Sequence, residues 1–320
     1  MLQFGVTKPT KAQAFIALAA AGSLWGTGFL FGKWALEELS VGQMVFYRFV
    51  FASIGFFPAV IRGLSRPSSR VPLSDVYLIF ICALVGVPIQ FIVQFAGLAR
   101  TTVSHASLMV GNLPVLLAAG SALFAHERVT LSRWIALLAS TVGAALIAIG
   151  ASSGEGGAHA TLLGDLLVAA SLIAAVVWIL ITQRLMKSGR YTPVTASAYV
   201  MTLGAVLLAI WVVATEGAPP IHLSLKTWVS VAAMGLTATT VTTYLWNWGL
   251  SSVPASQAGV FINLEPVVGA ILGVAVLGDI LGPLALIGGA LVVGAAVYVA
   301  MSENPPEDRS LRSHDRTAIA

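Results

Sequence analysis

The chain has 320 residues, of which 58% are hydrophobic and only 9% charged. Soluble domains carry roughly 25% charged residues, so no water-soluble surface of ordinary charge density can be built from this composition. The net charge of +4 comes from basic residues spread over short segments and is not a nucleic-acid signature, and the lone Cys82 excludes an intramolecular disulfide and any CxxC metal spacing.

Apolar runs of about 20 residues, the length that spans a bilayer core, recur along the whole chain. They predict helices over 13–36, 41–61, 73–98, 102–124 and 131–150, then 163–186, 193–215, 225–249, 254–277 and 281–301. The first run follows Lys8 and Lys11 and has small residues at Ala19–Gly22, as a signal peptide would. It continues through Trp25 and Phe31 to Ala35, beyond a typical apolar signal region of 7–15 residues, and so reads as a retained helix. Gly and Pro mark several connections, among them Ser65-Arg66-Pro67 and Gly217-Ala218-Pro219-Pro220. The small, polar stretch 151–162 separates two halves, and the charged, Pro-containing tail 302–320 has the composition of a disordered segment.

The halves are copies at an offset of 152 residues. Ser104, Ala106, Pro114, Val115 and Ala118 recur as Ser256, Ala258, Pro266, Val267 and Ala270. The loop from His126-Glu127-Arg128 to Arg133 is basic, whereas the matching loop from Gly278-Asp279-Ile280 to Pro283 has no Lys or Arg. With the N-terminus inside, thirteen basic residues fall on inner segments: Lys8, Lys11, Arg62, Arg66, Arg70, Arg128, Arg133, Arg184, Lys187, Arg190, Arg309, Arg312 and Arg316. Lys33, Arg100 and Lys226 fall outside, and Arg48 within a helix. The bias places both termini in the cytoplasm. Five helices per copy then give an all-α integral membrane protein of ten transmembrane helices in two inverted five-helix repeats, 13–150 and 163–301, with a cytoplasmic tail at 302–320. Trp34, Trp134, Trp211, Trp228, Trp246 and Trp248 fall near predicted helix ends, where interfacial rings belong; Trp25 and Trp178 sit mid-helix, in the first helix of each half.

Polar side chains inside hydrocarbon are costly, so each needs a role. Glu265, in Asn263-Leu264-Glu265-Pro266, is the one acid read as deep in the membrane, and Pro266 frees the carbonyl of Ile262 beside it. A carboxylate next to a free carbonyl can bind a cation, a proton or an amine; it can equally be a protonated acid bonded to a neighbouring helix. The first copy has Leu113 where the second has Glu265, which favours chemistry over architecture. Arg48 can hold an anionic group, pair with Glu265 or cap carbonyls of another helix. Gln90 and Gln94 follow Pro88, and on the matching helix Thr240, Thr243, Tyr244 and Asn247 form an i, i+3, i+4, i+7 stripe. With Asn112 they read either as interhelical glue or as the lining of a central cavity. Trp25 and Trp178 offer π-faces to a cationic or aromatic substrate, or core packing. Gly28-xxx-Gly32 and Gly269-xxx-Gly273 have the spacing of close helix contacts. No GxxxxGK[ST], HExxH or GxSxG motif occurs, so neither direct ATP coupling nor intramembrane hydrolysis is indicated, and no cofactor or metal is expected.

Trp25-Gly26, Tyr47-Arg48-Phe49 and Ala125-His126-Glu127-Arg128 resemble first-half landmarks of the EamA-like transporters of the drug/metabolite transporter superfamily. Gly164-Asp165 followed by Trp178, Trp246-Asn247-Trp248 followed by Val253-Pro254-Ala255-Ser256, and Leu264-Glu265-Pro266-Val267 resemble second-half ones. The resemblance covers 13–301. It implies a central cavity open alternately to each side and export of amino acids, metabolites or toxic compounds. Asp279-Ile280 departs from it, since a Glu before a basic residue is the commoner pattern. The expectation is therefore a secondary transporter and not an enzyme: an exporter of amino acids or related amine or aromatic compounds across the cell membrane, with protons as candidate coupling ions, no nucleic-acid partner, and a pathway that one chain suffices to form, dimerisation being open. A membrane-embedded sensor or scaffold is the alternative from another class; the short polar tail argues against it.

Overall fold

The computed structural model of the protein describes residues 8–64, 72–98, 100, 109–124, 129–150, 161–272, 275–276 and 282–301. Ser104, Ala106, the 125–128 segment, Gly273, the 278–280 loop, linker residues 151–160 and the tail 302–320 lie outside the described residues.

Ten helices follow one another, and there is no strand among the described residues. They are α1 (Lys11–Ala35), α2 (Val41–Leu64), α3 (73–98), α4 (109–124), α5 (Leu131–Gly150), α6 (Leu162–Lys187), α7 (Pro193–Glu216), α8 (225–250), α9 (255–272) and α10 (Pro283–Met301). Helix starts carry their own caps. Thr10 forms a capping box with Gln13, and Thr161, Thr192 and Ser224 each accept a backbone N–H three residues on. By length and composition α1, α2, α3, α6, α7 and α10 can each cross a membrane, and shorter apolar helices lie in α4 and α5. The surface is correspondingly apolar: Phe57, Tyr77, Ile173 and Ile210 are each about 60% exposed, as side chains facing lipid would be.

The helices α3, α8 and α9 are irregular, each for a local reason. In α3 the segments Leu73–Leu84 and Gln90–Leu98 flank a π-helical turn, Val85–Ile89, at Pro88, which has no N–H to give. In α8, Leu225–Gly235 and Thr242–Leu250 flank a π-helical turn at Leu236–Val241. There the hydroxyls of Thr239, Thr240 and Thr242 donate to carbonyls five residues back, on Met234, Gly235 and Thr237. In α9, Ala255–Ala258, a 3₁₀ stretch Gly259–Asn263 and Leu264–Leu272 follow in turn. Pro266 stands in the first turn of the last segment, where an N–H would have no intrahelical partner. The helix is thus interrupted before Pro266 and restarts beside Glu265.

The halves interlock along their whole length. α1 runs antiparallel to α8: Gly32 faces Met234, Gly28 faces Ala238, and Gly249 meets Leu18. α3 runs antiparallel to α6 in the same way, Cys82 meeting Thr182, Gly86 meeting Trp178, and Gly97 meeting Gly164 and Val168. Helices at matching places in the two halves also pack together: α2 on α7, α4 on α9 and α5 on α10. On α5 and α10, Gly143 and Gly288 bring the two backbones together so closely that a Cβ on Gly143 would lie 2.6 Å from the Gly288 carbonyl oxygen.

Candidate functional site

The crossing of α4 and α9 lies at the middle of this arrangement. α4 is interrupted at Gly111-Asn112 and restarts at Leu113-Pro114; α9 restarts at Leu264-Glu265-Pro266. In α4 the amide of Val115 turns to the carbonyl of Asn112, which frees the carbonyl of Gly111. That oxygen accepts from Thr141 Oγ1 at 3.0 Å and from Asn263 Nδ2 at 3.5 Å, and Asn263 Nδ2 also donates to Ser140 Oγ at 3.0 Å. Gly111 and Asn263 stand 152 residues apart, the repeat offset, so each touches its own counterpart.

α1 presses on the restart of α9. A Cβ on Gly26 would lie 2.5 Å from the carbonyl oxygen of Glu265 and 3.1 Å from the amide of Gly269, and one on Gly22 would collide with the carbonyl of Phe261. The closely packed glycine pair of α1 is therefore Gly22 and Gly26. Gly28 and Gly32, singled out by spacing, make only ordinary contacts of 3.6 and 3.5 Å. The side chain of Glu265 is half-buried. It has no hydrogen-bond or ion-pair partner among the described residues.

Arg48 is buried on α2. Its Nε donates to Thr239 Oγ1 at 2.8 Å and its Nη2 to the carbonyl of Ala238 at 3.3 Å, so it satisfies the widened turn of α8. Its guanidinium lies 5.1 Å from the ring centre of Phe91 on α3, within cation–π range. Arg48 and Glu265 act on each other electrostatically but form no direct ion pair.

The other polar residues separate into two groups. Thr240 donates to the carbonyl of Ala52 and Asn247 to Ser197 Oγ at 2.7 Å, joining α8 to α2 and to α7. With Asn263 they are interhelical bonds. The expected stripe on α8 is thereby corrected. The π-helical turn ends at Val241, so Thr240 lies in it while Thr243, Tyr244 and Asn247 lie beyond it, out of a common α-helical register. Thr243 is buried, and Tyr244 stacks on Trp248 at 6.5 Å. Gln94 and Tyr244 are half-buried with no hydrogen-bond partner among the described residues, and the buried Oε1 of Gln90 has none either. Asn112 is half-buried and donates to Met109. Trp25 is half-buried against Trp246, the ring centres 5.2 Å apart. Trp246 is fully buried, so its expected place at the interface is corrected: its ring turns inward onto α1. Trp178 packs on Gly86 and belongs to the core. The described residues hold no cluster of His, Cys, Asp or Glu that could bind a metal.

Sequence reasoning missed Asp75, a buried acid. It accepts from Arg190 and from Tyr191 Oη at 2.9 Å. Thr239, Ser140 and Ser197 were missed as well, and no local signal marks them, since each is defined by a partner on a distant helix.

Interrupted helices that meet inside a polytopic helical membrane protein are a recurring arrangement in secondary transporters. The family model described as the EamA-like transporter family matches residues 12–149 and 162–301, and the chain belongs to that family. It is 25% identical to an uncharacterized transporter, YetK, of Bacillus subtilis, over 95% of this chain and 91% of that protein. It is likewise 25% identical to a probable terminal-alkyne amino-acid exporter of Streptantibioticus cattleyicolor, over 90% and 93%. A crystal structure with 23% identity superposes with a TM-score of 0.75, covering 91% of this chain and 97% of that one. The protein is thus a multi-pass membrane transporter with a small-molecule substrate.

Proposed function

We propose that this transporter is an exporter of amino acids or closely related amine compounds that works by alternating access. The observation that carries the reading is the pair Glu265 and Arg48: opposite charges on different helices, one buried and one half-buried, with no direct ion pair between them. A zwitterion complements such a pair, its ammonium toward Glu265 and its carboxylate toward Arg48. Trp25, Tyr244 and Gln94 supply partly buried surface for a side chain. The amino-acid exporter among the relatives agrees with this class.

The cycle would be a rocking of two inverted five-helix repeats, 13–150 and 163–301. Several pairings support that symmetry. α1 with α8 repeats α6 with α3, both antiparallel. Thr161 Oγ1 donates to the carbonyl of Arg100, and Ser252 Oγ to that of Pro9, at positions 152 apart. The bias of thirteen basic residues against three argues for a cell-membrane protein with both termini in the cytoplasm. Glu265 would couple transport to protons by holding one in one orientation and losing it in the other.

Uptake of radiolabelled amino acids into proteoliposomes, with an imposed pH gradient, tests the reading. Gradient-driven accumulation that disappears in Glu265→Gln supports it. Unchanged accumulation and pH profile in that variant would remove Glu265 from the mechanism.

A further inference from the structure

The halves are also fastened to each other at their two ends, at equivalent places and by opposite charges. At one end, the loop between α6 and α7 grips the start of α3. Arg190 Nε and Nη2 lie 3.0 and 3.1 Å from the two carboxylate oxygens of Asp75, and Tyr191 Oη donates to it at 2.9 Å. At the other end, the loop between α1 and α2 grips the start of α8. Glu37 pairs with Lys226 Nζ at 2.7 Å, and Glu38 accepts the amide of Ser224 at 2.9 Å. Position 38 plus 152 is 190, and 74 plus 152 is 226. The base is on the loop at the first end and on the helix at the second.

The fastenings differ in kind. The Asp75 side chain is only 5% exposed and accepts from Ser74 Oγ as well as from Tyr191 and from Arg190, whose own side chain is 55% exposed. Tyr191 remains a donor at any physiological pH, because burial and then the bond to Asp75 push its phenol up to about 12. Glu37 and Lys226 are 55% and 50% exposed, so solvent and salt weaken them.

We propose that these two clasps are the gates of the rocking cycle: one built on the buried carboxylate of Asp75 with Arg190 and Tyr191, and a fully solvated, more salt-sensitive one formed by Glu37, Glu38, Ser224 and Lys226. Each spans the two halves, so an opening between them toward either end must break the clasp there. The charge swap keeps each clasp specific: Glu38 would repel Asp75 in place of Arg190, and Lys226 would repel Arg190. The proposal rests on the alternating-access reading, and it identifies the contacts that alternate.

The chain carries its own reporter. Cys82, its one cysteine, is fully buried between α3 and α6, two turns inside the Asp75 clasp and against Thr182. Its counterpart at the 152-residue offset is Met234, buried between α8 and α1 inside the other clasp. The test is the labelling rate of full-length protein in nanodiscs with a membrane-impermeant maleimide, read at Cys82, and at Met234→Cys in a Cys82→Ala background. Loss of one charge-assisted bond shifts an opening equilibrium about tenfold. Asp75→Asn and, on the exposed partner, Arg190→Gln should each speed Cys82 labelling by about that factor and leave the Met234→Cys reporter unchanged or slower. Lys226→Gln should do the reverse, and raising NaCl should speed the Met234→Cys reporter more than Cys82. Arg190→Gln perturbs an exposed side chain and keeps the test open if Asp75→Asn does not fold. Unchanged Cys82 labelling in Arg190→Gln, or equal acceleration at both reporters by either variant, would overturn the gates. Uptake into proteoliposomes is scored separately: gated labelling without uptake would sink the transport reading, and uptake without gated labelling would sink the clasps.

Discussion

α4 and α9 are the same interrupted helix used twice, and they differ where it matters. Both restart at a proline, Pro114 and Pro266, and both are bonded across the crossing through Gly111 and Asn263. Only α9 puts an acid at the restart; α4 has Leu113, which is buried and apolar. The duplicated residues therefore account for the interruption and the crossing, whereas the carboxylate at the restart of α9 has no counterpart in α4. Architecture is shared between the halves, and charge is not. The largest test of that contrast is paired substitution. Glu265→Gln should lower transport by about two orders of magnitude, the scale of losing a buried charge that meets an opposite one. Leu113→Gln, at the equivalent site, should alter stability and leave the pH profile of uptake intact. Equal losses in both variants would mean that the crossing, and not the carboxylate, is what transport needs.

Next in size is the packing of α1 against the restart. Gly26→Ala forces a methyl to 2.5 Å from the Glu265 carbonyl, a backbone atom that cannot step aside. It should destabilise the protein by about 1–3 kcal/mol. Gly28→Ala, half a turn away, meets Ala238 at 3.6 Å and has room; it should be neutral or stabilise by about 0.5–1 kcal/mol, because alanine suits a helix better than glycine. Thermal unfolding in detergent of the two variants side by side checks the pair. A smaller effect, about 1 kcal/mol, is expected for Asn263→Ala, because the Gly111 carbonyl keeps its bond from Thr141.

Much of the scaffold was legible because hydropathy and repetition are one-dimensional signals. The helices at 73–98 and 193–215 appear as α3 and as Pro193–Glu216, almost residue for residue. The π-helical turn at Leu236–Val241 was not legible. Its cause is a set of threonine hydroxyls bonding backward, and threonines also read as a cavity stripe. The same ambiguity sorted Arg48, Asn247 and Asn263 only after folding, since their partners Thr239, Ser197 and Ser140 lie on other helices. Asp75 escaped notice for a related reason. At the start of a helix it resembles a routine first-turn acid, and only the fold brings Arg190, 115 residues away, to meet it.

The smallest effect concerns Glu38 at the solvated end. The bonds from Ser224 hold its carboxyl below the usual glutamate range. A folded-state pKa that is depressed contributes stability that is fully present above the unfolded value and is lost as pH falls through the folded one. At neutral pH this clasp is therefore at full strength, and it loosens only in acid, below the ordinary glutamate range. Because Glu38 is solvated, the loss should be slight and local. Hydrogen exchange at the Ser224 amide should quicken, relative to its intrinsic rate, as pH drops below that range, while the amides around the Gly111 and Asn263 crossing keep their protection. In Glu38→Gln the Ser224 amide should exchange faster already at neutral pH, with no further acid response. Exchange that responds to acid equally in Glu38→Gln would take the response away from the Glu38 carboxylate.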